Sequence, residues 1–344
     1  MRYKLLGRSG VRVSELSLGT MTFGTEWGWG SDYEESRRVF DLYANAGGNF
    51  IDTANRYTEG TSERWCGEFI AADRERFVLA TKYTLHWRRN DPNAGGNHRK
   101  NLVRSVEQSL SRLKTDYIDL LWLHAWDFTT QVDEVMRGLD DLVSSGKVHY
   151  LGVSDTPAWI VSQANTLADF RGWAPFSALQ IQYSLIERTP ERDLLPMARA
   201  LDLAITPWGV LGSGVLSGKF KAGDGADVGR AARMAGRLSD RNLAIAATVS
   251  DVASEVGATA SQVALAWVRQ QPGIMLPILG ARTEEQLRDN LGALEVKLSD
   301  AHLARLHEVS RIELGFPHEF LAAEGVRDTI SGGTWKQVDN HRRI

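Results

Sequence analysis

Short apolar runs rich in β-branched residues alternate with amphipathic stretches along most of the chain, and this alternation restricts the fold more than any other feature. Eight runs qualify as strands: ELSLGT (15–20), NFIDT (49–53), FVLATK (77–82), IDLLWLH (118–124), VHYLGVS (148–154), SALQIQ (177–182), LAITPW (203–208) and IMLPILG (274–280). They are apolar on both faces, as strands of a parallel sheet are when helices cover each side. Helical patterns lie between them at 33–46, 62–72, 100–113, 131–145, 156–168, 190–201, 240–270 and 283–293, the seventh long enough for two helices broken near Gly257. Successive strands are mostly about 25–35 residues apart with no break in composition, which predicts an α/β chain closed into one (β/α)8 TIM barrel. The expected domain is 1–344, with the barrel over about 1–295 and a C-terminal extension over about 296–344.

Charge and cysteine content narrow the function. With 40 Lys+Arg against 43 Asp+Glu the formal charge is −3, so no global field draws the chain to nucleic acid or an anionic membrane. A small molecule is the expected partner, and homo-oligomerisation is left open. The one cysteine, Cys66, can form neither an internal disulfide nor a paired-cysteine zinc site, which suits a reducing compartment. The first twenty residues lack the apolar core of a signal peptide, and no run approaches the ~20 apolar residues of a membrane helix, so a cytoplasmic protein is predicted. The histidines are scattered, with His302 and His307 off a common helical face, and no metal site is assigned.

Three segments fall outside the repeat. Residues 88–99 and 212–239 are long Gly- and charge-rich loops that each follow a strand, the usual place for functional covers. The tail after 295 holds an amphipathic helix around 299–310 and the aromatics Phe316, Phe320 and Trp335, and is expected to pack across a barrel face.

A (β/α)8 barrel carries its chemistry where the strands end. Here the second strand ends at Asp52, the third at Lys82, the fourth at His124 and the fifth at Ser154, with Tyr57 just beyond Asp52. A phenol ordinarily titrates near 10, and an ammonium beside it favours its ionised form. Lys82 is placed to supply that charge and Asp52 to keep Lys82 protonated, while His124 can share a substrate oxygen with Tyr57. Such a group is an acid for an oxygen that becomes negative, as a carbonyl oxygen does when hydride arrives. Taken alone, Asp52 and Lys82 are equally an ordinary ion pair between strands. A Schiff-base aldolase using Lys82 is a rival reading that the adjacent carboxylate argues against. Gly212–Gly218 imitates a dinucleotide loop, yet no helix opens there, and Gly218-Lys219 lacks the rest of a phosphate-binding loop. Trp27, Trp29, Trp87 and Trp126 fall in active-face loops and are expected to line an apolar substrate mouth.

The segments LGTMTFG (18–24), NFIDTANRYTEGTSE (49–63), VLATK (78–82), DLLWLHAWD (119–127), GKVHYLGVSD (146–155), LQIQYSLIER (179–188) and PILGARTEEQLRDNLGAL (277–294) together resemble the aldo-keto reductase superfamily over about residues 1–310. The likeness is to bacterial-type members and, through Trp208, to the potassium-channel β-subunits. It implies that Tyr57 is the general acid, assisted by Lys82, Asp52 and His124, in NADPH-dependent reduction of an aldehyde or ketone and the reverse oxidation. It also implies an NADP(H) site without a Rossmann domain. Ser154, Asp155 and Gln180 would face the carboxamide, Trp208 would stack on the nicotinamide, and Thr20 and Met21 would touch the cofactor. Leu211 and Lys219 would cover the pyrophosphate, and Gly280, Arg282, Gln286 and Asn290 would hold the adenosine phosphate. Arg282 at a helix start can clamp a 2′-phosphate, which favours NADP over NAD. Two departures stand out: Asp155 replaces the usual asparagine after Ser154, and Trp208-Gly209-Val210 replaces the usual Tyr-Ser-Pro. The β-subunit likeness also raises a cofactor-sensing regulatory subunit with little turnover.

Overall fold

A computed structural model describes residues 1–219 and 238–340, so part of the expected loop 212–239 lies outside the described residues. Two short strands, β1 (Tyr3–Leu5) and β2 (Arg12–Ser14), form an antiparallel hairpin ahead of the barrel. The barrel strands are β3 (Ser17–Gly19), β4 (Phe50–Asp52), β5 (Val78–Tyr83), β6 (Ile118–Leu123), β7 (Val148–Ser154), β8 (Phe176–Gln182), β9 (Ala204–Trp208) and β10 (Ile278–Gly280). They make one parallel sheet in the order β10-β3-β4-β5-β6-β7-β8-β9. The seam is bridged just before β10, where Ile205 N–H donates to Ile274 O and Leu276 N–H to Ile205 O, each at 2.8 Å. All eight expected strands are therefore present, although the last is split into this bridge and a three-residue strand.

The helices cover the outside of the sheet: α1 (Tyr33–Asn45), α2 (Thr61–Ile70), α3 (Arg99–Leu113), α4 (Val132–Ser144), α5 (Ala158–Arg171), α6 (Leu194–Ala200), α7 (Asp240–Val256), α8 (Ala260–Arg269) and α9 (Glu284–Leu291). Local signals set several of their ends. The Asp32 side chain accepts from Glu35 N–H at the start of α1, and Thr259 and Gln262 form a capping box at α8. The break between α7 and α8 falls at Gly257, whose φ of 67° is the left-handed conformation glycine adopts freely. No helix among the described residues is long and apolar enough to cross a membrane.

Strand alternation sorts the residues. One apolar cluster lies between sheet and helices, and a second fills the barrel interior with Leu6, Val13, Phe50, Ala80, Leu120, Trp122, Ala178, Ala204 and Leu276. The small residues of that interior make room for one large ring: a Cβ on Gly152 would lie 2.3 Å from Trp122. Leu6 and Val13 come from the hairpin segment, which the sequence patterning did not single out and which closes the barrel floor.

The tail differs from expectation. Its first helix, α10 (Asp300–Val309), packs beside α7, and Arg188 ties it down through His307 O at 3.0 Å and Ser310 Oγ at 2.8 Å. The two later helices, α11 (His318–Ala322) and α12 (Glu324–Ser331), are largely exposed, and Phe316 at 84% exposure packs on Phe320 instead of a barrel face. Helices of five and eight residues with no buried side chain have too little apolar contact to offset the entropy of ordering them.

The hairpin turn gives a direct check. Gly7 has φ 57°, and a Cβ there would lie 2.2 Å from Ser177 O and 2.6 Å from Asp202 O, backbone atoms that cannot swing away. Gly7→Ala should lower unfolding free energy by about 1–3 kcal/mol in urea titrations; an unchanged midpoint would mean the hairpin is not seated on the barrel floor.

Candidate active site

The interior alternation continues to the strand ends, and this brings the expected residues together. Two residues beyond the interior-facing Phe50, Ala80, Trp122, Gly152 and Ala178 come Asp52, Lys82, His124, Ser154 and Gln180, so all five share the inward face at the barrel mouth. Lys82 is fully buried, and its ammonium has three acceptors: Asp52 Oδ2 at 2.5 Å, Thr53 O at 2.9 Å and Tyr57 OH at 3.0 Å. The other Asp52 oxygen accepts from Gln180 Nε2 at 2.9 Å. The rings of Tyr57 and His124 meet edge to face with centroids 6.1 Å apart.

Burial alone would drive the Lys82 pKa down, but the Asp52 charge, the Tyr57 hydroxyl and their hydrogen bonds outweigh it, so Lys82 stands above its ordinary 10.5. It is an ammonium at neutral pH. Burial pushes the Tyr57 phenol above its ordinary 10.0; the Lys82 charge opposes this without cancelling it, and Asp52 adds to it. The lysine charge was expected to lower the phenol, and burial outweighs it; Tyr57 rests as the un-ionised phenol, the form a general acid needs. Burial, and then the Lys82 charge, hold His124 well below the ordinary imidazole value, so it is neutral.

The segment after Tyr57 is tightly built. Thr58, Glu59 and Gly60 have φ of 45°, 57° and 87°, a left-handed run that is costly for the β-branched Thr58. It is held because Thr58 Oγ1 donates to Phe23 O at 2.6 Å and accepts from Ser62 N–H at 3.2 Å. Behind it Glu63, fully buried, accepts from Thr81 Oγ1 at 2.6 Å and from Arg112 Nε at 2.6 Å. Sequence reasoning missed Thr53, Thr58 and Glu63, whose roles come from backbone geometry and from partners distant in sequence. It also missed Asn55, a buried amide between Asp52 and Tyr57 whose Nδ2 and Oδ1 have no partner among the described residues.

The residues expected to hold a cofactor are only partly free to do so. Ser154 Oγ and His124 Nδ1 are buried without a partner among the described residues, so the mouth retains unmet hydrogen-bonding capacity for a polar ligand. Trp208, half-buried at the end of β9, donates from Nε1 to Asp155 Oδ1 at 3.2 Å. Loss of hydration in the concave mouth raises the Asp155 carboxyl, opposed by that hydrogen bond and by the Lys82 charge. Gln180 Nε2 donates to Asp52, which leaves its Oε1 for another donor, and Thr20 is fully buried with its hydroxyl donating to Asp52 O at 3.0 Å. Met21 and Leu211 are half-buried, and Lys219 is exposed at the last described position before 238. Gly280 ends β10 with nothing within 4 Å of a Cβ position, and Arg282 is exposed just ahead of α9. Gln286 turns back, its Oε1 accepting from Arg282 N–H at 2.9 Å, and Asn290 is buried.

The four tryptophans separate. Trp27 meets Tyr57 edge to face at 6.4 Å and packs on Trp29 at 5.6 Å. Trp126 is half-buried beside Asp155, whose carbonyl accepts its N–H, whereas Trp87 sits between the guanidiniums of Arg88 and Arg104.

With this geometry in place, comparison with known proteins is informative. A family model described as Aldo/keto reductase family matches residues 15–311. The chain is 41% identical over 327 residues to a norsolorinic acid reductase of Aspergillus flavus, covering 92% of this chain and 83% of that protein. It is 40% identical over 335 residues to an aryl-alcohol dehydrogenase of Pestalotiopsis microspora, covering 94% and 86%. It is 38% identical over 338 residues to an aldo-keto reductase of Emericella nidulans, covering 94% and 85%.

The buried pair makes a prediction with a sign. Because the folded Lys82 pKa lies above the ordinary 10.5, its contribution is fully present below that pH and is lost as pH rises through the folded value. Asp52→Asn leaves the ammonium without a counter-charge and should cost about 3–5 kcal/mol at pH 7. Its folded lysine pKa falls below the unfolded one, so stability should instead recover as pH rises toward 10.5. Denaturant titrations from pH 7 to 10 read both effects, and parallel pH dependence in wild type and variant would contradict the assignment.

Proposed function

The chain belongs to the aldo/keto reductase family and is an oxidoreductase acting on carbonyl and alcohol groups, and from this premise we propose that it reduces an aldehyde or ketone with NADPH, Tyr57 donating the proton. The observation that carries this reading is the contact between the Lys82 ammonium and the Tyr57 hydroxyl at 3.0 Å. When bound, the nicotinamide supplies hydride to the carbonyl carbon. Tyr57 gives its proton to the carbonyl oxygen, which takes the electron pair of the C=O π bond, and the product is the alcohol. The adjacent ammonium stabilises the phenolate left behind, which burial alone disfavours. Neutral His124 presents one ring N–H for a hydrogen bond to the same oxygen. The reverse oxidation uses these groups in the opposite sense.

Ser154, Asp155 and Trp208 fit a nicotinamide: an unpaired buried hydroxyl, a carboxylate that can accept from an amide NH2, and a flat ring at one strand end. Arg282, exposed ahead of α9, supports an NADP preference, since its guanidinium can pair with a phosphate. A Schiff-base reading of Lys82 is disfavoured because all three ammonium donors are engaged and no lone pair is available. The relatives are named as enzymes, which favours turnover over a purely regulatory role.

Tyr57→Phe should reduce kcat about 10²–10⁴-fold while NADPH still quenches or shifts protein fluorescence on binding; undiminished turnover would refute the assignment. Arg282→Ala should raise the Kd for NADPH about 10–100-fold and leave that for NADH nearly unchanged. Equal weakening of both would remove the 2′-phosphate role.

A further inference from the structure

We infer that Asp155 discriminates between the redox forms of the cofactor: an unpaired carboxylate at the mouth, it makes oxidised NADP+ bind more tightly, relative to NADPH, than an amide in its place would. The inference rests on the NADP(H)-dependent reading above and deepens it, giving a charge role to the residue that departs from the usual asparagine.

The carboxylate is held in place. Asp155 directly follows β7 on a backbone with φ 42°, its N–H donating to Gln180 O at 3.3 Å and its carbonyl accepting from Trp126 N–H at 3.4 Å. The residue is exposed at the mouth, and its Oδ1 accepts from Trp208 Nε1 at 3.2 Å. An indole N–H lies in the plane of its ring, so a carboxylate on that hydrogen bond sits along the edge of Trp208 and leaves the faces to a flat ligand. Asp155 also bears on the proton donor, since its charge is among those that raise the Tyr57 phenol.

The charges of the mouth do not balance. Lys82 is already matched by Asp52, while Tyr57 and His124 are neutral. Asp155 has no ion-pair partner among the described residues, and the Trp208 N–H that reaches it is a neutral donor. Lost hydration raises its carboxyl in spite of that hydrogen bond and the Lys82 charge. An anion short of solvation gains more from an adjoining cation than one in open water does. A nicotinamide ring is neutral when reduced and positively charged when oxidised, so the gain falls on one redox form alone. Stacking on Trp208 and hydrogen bonds to the carboxamide are open to both forms and cancel in the comparison.

The test measures Kd for NADP+ and for NADPH, by protein fluorescence and calorimetry without any carbonyl substrate, in wild type and Asp155→Asn. Asparagine keeps the shape, offers Trp208 an acceptor and tolerates the left-handed backbone, so the substitution removes the charge and little else. Because water reaches Asp155, the expected effect is moderate: the ratio of the NADP+ constant to the NADPH constant rises about three- to tenfold, mainly through weaker NADP+ binding. For this two-electron couple the same change raises the potential of the bound cofactor by about 14–30 mV. A ratio that is unchanged or falls, including equal weakening of both forms, overturns the inference and leaves the reductase reading standing. Failure of wild type to bind either form overturns the two together.

Discussion

The Lys82–Asp52 ion pair, sealed from solvent at the barrel mouth, is the interaction on which the site depends. Removing two charges from water costs several kcal/mol per ion, and only tight geometry with further hydrogen bonds offsets it. That geometry is met on both sides: Lys82 also donates to Thr53 O and Tyr57, and Asp52 also accepts from Gln180. Four segments are thereby tied to one charge pair: the ends of β4, β5 and β8 and the loop holding Tyr57. A pair so placed is weak evidence for stability as such, because apolar residues of equal volume often serve as well. Its worth lies in what it does for Tyr57, whose phenolate would otherwise form next to a buried carboxylate with no compensating cation.

The surroundings keep that contact fixed. Thr58 accepts a left-handed backbone because its hydroxyl has partners on two sides, and Glu63 anchors α2 to β5 and α3 through Thr81 and Arg112. Strain of this kind persists only where the neighbourhood over-determines it, and it sits one residue from the proton donor. The same stitching fastens the Trp27 loop to the segment that carries Tyr57, through Thr58 to Phe23 and Thr61 to Glu26. In contrast, the helices beyond α10 expose Phe316, Phe320 and Ile330 and contribute little to the fold.

Much of this was legible in the sequence because strand periodicity carries three-dimensional information. Once the strands are placed, period-two alternation puts Lys82 on the same side as Ala80, and His124 on the same side as Trp122, and the parallel register, with Asp52 beside Ala80 and Lys82 beside Trp122, steps these residues along one inward face. Partnership was less legible. Gln180 and Thr20 look like ligand-facing polar residues, yet their side chains bond to Asp52, a choice between two acceptors that only the packed structure decides. The hairpin of β1 and β2 was missed because three-residue strands are too short to show a period. The direction of the Tyr57 shift was misjudged because proximity to a cation is visible in a motif, whereas the depth of burial that opposes it is not.

The central claim is that Lys82 acts through Tyr57. Single-turnover rates of NADPH oxidation, with cofactor pre-bound and an aryl aldehyde mixed in, should be measured for Lys82→Met, Tyr57→Phe and the double variant. If the two residues form one proton-donating unit, their losses are strongly non-additive, and removing Tyr57 from Lys82→Met costs little further rate. Losses that simply multiply would show that the two residues act independently and would contradict the account.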